Sequence, residues 1–102
     1  VLEAGKPSHW HRVLGATEVW CFHAGAPLVL KLSTDHPSRC VHTRVVLGAD
    51  ILMGHRLQAI VEPNVWQTAE SQGAWSLVSC IVAPAFSFDR FEMLSVSSDE
   101  CL

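Results

Sequence analysis

HWHRVLGATEVWCFHAG, residues 9–25, is the stretch on which the reading of this chain turns. A strand-like run extends from His9 to Leu14, stops at Gly15-Ala16-Thr17, and resumes from Glu18 to His23. Such runs on either side of a glycine-containing gap indicate two β-strands and a turn. The two strands are therefore expected to pair as a hairpin. His9 and His11 point the same way on the first strand, about 6.5–7 Å apart along it. Glu18, Trp20 and Phe22 share one face of the second strand, and Cys21 and His23 share the other. With Trp20 and Phe22 turned inward, Glu18 is inward too, and a buried carboxylate needs a partner. His9 and His11 lie nearest in sequence. Two imidazoles and a carboxylate converging inside a small β-structure can hold a divalent metal or carry out proton transfer. The competing reading pairs Glu18 with Arg12 or Arg44 and leaves the histidines as hydrogen-bonding wall residues.

Strand signals continue outward from this segment. Gly25-Ala26-Pro27 breaks the chain, and Leu28 to Ser33 then alternates, with Leu28, Leu30 and Leu32 on one side. Thr34 to Ser38 is a polar loop. Further strands are expected over Val41 to Leu47, Leu57 to Val61, Val65 to Ala69 and Trp75 to Val82. The segments Asp50–Gly54, Glu62–Asn64 and Glu70–Gly73 serve as turns. Phe86 to Met93 reads as a final strand or a single helical turn. No segment keeps a helical period over three turns. Many short strands separated by turn residues indicate an all-β sandwich or barrel with few or no helices.

The chain has 102 residues, 49% of them hydrophobic and 17% charged, with a formal charge of −3. That composition supports one packed domain, over residues 1–94, followed by a frayed tail over 95–102. No basic stripe with interleaved aromatics is present, so nucleic-acid binding is not expected. No apolar run reaches the roughly 20 residues of a membrane helix. The four cysteines form no CxxC pair and show no zinc-ribbon spacing, which favours reduced thiols in an intracellular protein. With no leader or basic targeting segment in view, a cytoplasmic location is expected. The opening Val1-Leu2-Glu3 reads as the end of a strand that begins further upstream.

Gln67, just after the turn at Asn64, can reach the same interior as Glu18. An amide oxygen is a poor transition-metal ligand beside imidazole, so Gln67 is better suited to positioning a ligand by hydrogen bonds. The bland alternative is a surface glutamine on an edge strand. Four tryptophans supply core, and one or two of them can line a pocket by ring stacking. His23, His36, His42 and His55 read as surface residues. Ser79 and Cys80 can place one polar group inward, but no Ser–His–Asp or Cys–His arrangement and no glycine-rich phosphate loop is visible.

These residues together resemble the cupin family. Gly5, His9, His11, Glu18 and Gly25 fall in the order of its first motif, with a longer spacer than usual between His11 and Glu18. SHWHRV, TEVWCFHAG, VVLGADILMGHRLQ, VWQTA, WSLVSCIVAPAF and FDRFE resemble, in order and spacing, a cupin subfamily described as a domain of unknown function. The resemblance runs from about Leu2 to Met93. It implies a jelly-roll β-barrel with a small-molecule pocket inside, and a homodimer. Three departures stand out. Gln67 occupies the position of the second motif's histidine ligand, Asn64 replaces a turn glycine, and Ala85 replaces the glycine of APGF. The resemblance also implies further residues before Val1, without which a sheet edge or one side of the pocket is left uncovered.

The expected function is binding of a small polar or sugar-nucleotide-like molecule in a pocket lined by His9, His11, Glu18, Trp20, Phe22 and Gln67. His11 and Glu18 are the candidate catalytic groups. The alternative is a metal-dependent oxygenase or isomerase holding iron, manganese, nickel or zinc on His9, His11, Glu18 and Gln67. A second alternative is a non-catalytic dimeric module. The chain contains no tyrosine, which excludes a His–Tyr acid–base pair.

Overall fold

Runs of β-branched, aromatic and leucine residues between glycine, proline and polar turns become strands in the computed structural model, which describes residues 1–39 and 41–97. The strands are β1 (Leu2–Glu3), β2 (His9–Val13), β3 (Thr17–Gly25), β4 (Leu28–Ser33), β5 (Thr43–Leu47), β6 (Gln58–Val61), β7 (Trp66–Ser71), β8 (Trp75–Ala83) and β9 (Phe91–Ser97). The only helical elements among the described residues are single 3-10 turns. None is long and apolar enough to cross a membrane.

Two antiparallel sheets face each other, one in the order β1-β8-β3-β6 and the other in the order β5-β4-β7-β2-β9. This is the all-β jelly roll expected from the sequence. Leu28, Leu30, Leu47, Trp20, Ala59, Val61 and Ala69 form the buried cluster between the sheets. The alternation in Leu28–Ser33 places Leu28 and Leu30 in that cluster and packs Leu32 against it. The final segment is both things the sequence allowed, a 3-10 turn at Phe88–Arg90 followed by β9. β9 runs on to Ser97, past the expected start of the frayed tail at Ser95. The rest of that tail, residues 98–102, lies outside the described residues.

The expected hairpin does not form. β2 pairs with β7 and β9, whereas β3 pairs with β6 and β8. Leu14-Gly15-Ala16 instead carries the chain across from one sheet to the other. Gly15 turns with φ +68°, and its amide donates to Asn64 Oδ1 at 2.9 Å. The Asn64 amide in turn donates to the Val13 carbonyl at 3.2 Å, so the two crossovers brace each other. Asn64 itself holds φ 69°, the left-handed conformation that asparagine tolerates in place of glycine. Gly25 is irreplaceable for a different reason. At φ +92°, an added Cβ would lie 2.6 Å from the Trp75 carbonyl oxygen.

The outer face of the five-stranded sheet is not bare. Trp10 and Trp66 are both buried, although they lie on the opposite face from His11 and Gln67, which are paired across the strands. The loop between β4 and β5 packs over them, with His36 edge-on to Trp66 and His42 beside Trp10. Arg12 lies 4.6 Å above the Trp66 ring and forms a salt bridge to Glu92.

Candidate functional site

Alternation along β3 turns Glu18 and Trp20 into the sandwich, where they are 7% and 5% exposed, and leaves Phe22 half-buried against the core. Gln67 reaches the same place from β7 in the opposite sheet and is 1% exposed. Its amide links the two β3 residues. Trp20 Nε1–H donates to Gln67 Oε1 at 2.6 Å, and Gln67 Nε2–H donates to Glu18 Oε1 at 2.7 Å. One side chain therefore gives a partner to a buried indole and to one oxygen of a buried carboxylate, and it ties the sheets together at their polar centre. The surface reading of Gln67 is overturned.

Neither of the expected cationic partners reaches Glu18. Arg12 is engaged by Glu92, and Glu18 takes part in no salt bridge among the described residues. Its second neighbour is Cys80. Trp20 and Cys80 are cross-strand partners and so share a face. Burial, the Glu18 charge and a hydrogen bond to Glu18 push the Cys80 thiol up to about 12, so it stays protonated and donates to the carboxylate. The residue as a whole is nonetheless exposed. Cys80 belongs to this site, and the alternation of Trp75–Val82 pointed to it only as one of two possible inward polar groups.

The two histidines of the opening motif part company. His11 is half-buried on the Gln67 side of β2, and its ring lies 5.7 Å from that of Phe91. His11 Nδ1 donates to the His9 carbonyl oxygen at 3.0 Å, so Nε2 is the ring nitrogen left to face a ligand. His9 is exposed, and the β2–β9 register shifts between His9 and His11. Among the described residues, no group of three or more His, Cys, Asp or Glu side chains comes together to hold a metal. The Gln67 oxygen is also committed to Trp20. The donors His9, His11, Glu18 and Gln67 therefore do not fit a metal in this arrangement.

A second feature lies where β4, β5 and β6 meet. A cavity of about 260 Å³ is lined by Leu32, Val41, His42, Ile60, Glu62 and Val65, among others. None of the six residues expected to line the pocket takes part in it, although Leu32 is the cross-strand neighbour of Gln67. His42, expected at the surface, has a buried Nδ1 with no hydrogen-bond partner among the described residues, as does Trp10 Nε1 beside it. Burial, followed by the nearby Lys31 and Arg44 charges, lowers the His42 pKa and favours the neutral ring.

The family model described as Cupin superfamily (DUF985) matches residues 1–94. The chain belongs to this cupin family. Solved structures share its fold. A crystal structure of a Shewanella oneidensis protein is 36% identical with a TM-score of 0.81, the match covering 92% of this cupin and 58% of that chain. A hypothetical protein from Leishmania major is 33% identical with a TM-score of 0.79, the match covering 91% of this cupin and 60% of that chain. The cupin thus spans less than two thirds of the length of either relative. No curated protein matches it.

Proposed function

We propose that this cupin binds a small polar molecule between its sheets, through hydrogen bonds to the Glu18 carboxylate. The observation that carries this reading is a buried carboxylate whose partners among the described residues are neutral donors, the Gln67 amide and the Cys80 thiol. A buried anion without a cation is costly, and an apolar pair at the same place would pack at less expense. Buried ionisable groups in such surroundings mark candidate functional sites, where a ligand can complete the hydrogen bonding. Hydroxyl donors match it, so sugars and other polyhydroxylated molecules form the favoured class, with a sugar-nucleotide-like ligand being what the family resemblance implies. His11 Nε2 is the second group available to a ligand or to a transferred proton, with the indole and phenyl rings of Trp20 and Phe22 as apolar wall.

The metal-dependent reading is weaker, because His9 is exposed and Gln67 is already committed. Native mass spectrometry of the protein as purified tests the proposal. A co-purified small molecule retained by the wild type and lost in Glu18→Gln is the expected outcome. Retention of the same molecule by Glu18→Gln would sink it.

A further inference from the structure

Backbone bonds join Arg56 to Val46 and to Gly48, and they hold the end of β5 against the chain that leads into β6. The cavity of about 260 Å³ lies at the other end, beside Thr43, where Leu32, Val41, Ile60 and Val65 give it aliphatic walls. Val41 and Ile60 are 65% and 60% exposed, so branched hydrocarbon faces water there. His42 and Glu62 are the ionisable groups of the lining. Two cations stand behind His42. Lys31 alternates with Leu30 and Leu32, which face the core, so it points to the outer face of the five-stranded sheet. Arg44 is its cross-strand partner. Directly opposed like charges destabilise a sheet, and neither cation takes part in a salt bridge among the described residues. Glu70, diagonal to Lys31 across β7, forms no ion pair with it. Burial, then Lys31 and Arg44, hold the His42 ring below its ordinary pKa, so both cations bear on it.

We infer that this groove is a second binding site, for a small aliphatic carboxylate. Its hydrocarbon lies on Leu32, Val41, Ile60 and Val65, and its carboxylate faces His42 with Lys31 and Arg44 behind. Size and charge select this class. The volume is below the roughly 300–1,000 Å³ of drug-sized pockets, so the ligand is small. No tryptophan or phenylalanine lines the groove, so its walls match an alkyl chain rather than a planar ring. Lys31 and Arg44 outnumber Glu62, the single acid of the lining, and the balance favours one negative charge. A dianion such as phosphate meets more repulsion from Glu62 and a larger desolvation cost beside the aliphatic walls. With His42 Nδ1 buried and unpartnered among the described residues, Nε2–H is the donor the ring can present to a carboxylate. The site is separate from Glu18, which lies inside the sandwich and takes no part in this lining.

Hexanoate is the probe, with hexanol and inorganic phosphate as comparisons, each titrated into the protein and followed by NMR. Hexanoate is expected to move the His42 ring signals and the methyl signals of Leu32, Ile60 and Val65 along one saturable curve. Hexanol is expected to bind about fivefold more weakly, because it lacks the charge. Lys31→Met and Arg44→Gln should each weaken hexanoate about two- to fivefold, and Glu62→Gln should strengthen it by a similar factor. Glu18→Gln should leave the curve unchanged, so failure here and failure at the polar centre are told apart. Hexanoate that gives no saturable methyl shifts overturns the proposal, as does hexanol binding equally tightly. So does phosphate that reproduces the His42 shift at the same concentrations, or hexanoate binding that neither cation variant weakens.

Discussion

Gln67 spends both ends of its amide inside the protein, on Trp20 and Glu18. Replacing it with alanine leaves an indole N–H and a carboxylate under-satisfied. Gln67→Ala is expected to lower the unfolding free energy by about 2–4 kcal/mol in urea titrations. Cys80 offers a sharper probe of the same centre. With its thiol raised from 9.0 to about 12, alkylation of Cys80 by iodoacetamide near neutral pH should run up to about a thousandfold slower than that of a free thiol. Glu18→Gln removes the charge and should bring the reaction profile to lower pH. An unchanged profile would show that Glu18 does not control the thiol. His42 gives a pH signature. Its folded pKa lies below the unfolded value of 6.5, so below about that pH the unfolded chain binds more protons and stability falls. The contribution is intact above 6.5 and lost as pH drops through the folded value. His42→Phe should flatten this acid limb of the denaturation midpoint against pH.

At the scale of elements, period-two alternation was a sound guide to which residues face inward. It marked Leu28, Leu30 and Leu32 as one face, and it placed Glu18 with Trp20 and Phe22. Leu30 is fully buried, and Leu30→Ala is expected to cost about 2–5 kcal/mol in the same titrations. The alternation was silent on partners. β2 and β3 look like a hairpin because they are adjacent and separated by a glycine turn. Each instead finds other partners, in opposite sheets, and Asn64 holds the crossover. His9 and His11 were equivalent by spacing alone. The register shift against β9 lies between them: two steps along β2, from His9 to His11, oppose four along β9, from Ser97 to Met93, so the extra residues belong to the partner strand and leave no mark on the histidine spacing.

At the scale of the whole molecule, two sheets close over an apolar cluster with a polar centre at Glu18, Gln67 and Trp20. Since the metal donors are not gathered, chelation with EDTA is expected to leave the thermal midpoint unchanged. A fall would revive a bound metal. A polyol that occupies the polar centre should raise the midpoint in proportion to its concentration relative to its Kd. The sequence by itself determined the strand segments, the inward set on β3 and β4, the family and the need for a partner at Glu18. These rest on local periodicity and on motif spacing, which are properties of neighbouring residues. Only the tertiary structure decided that the partners are Gln67 and Cys80 rather than His9, His11 or an arginine. Contacts between residues some fifty to sixty positions apart depend on strand order and register, and these are settled by closing the core.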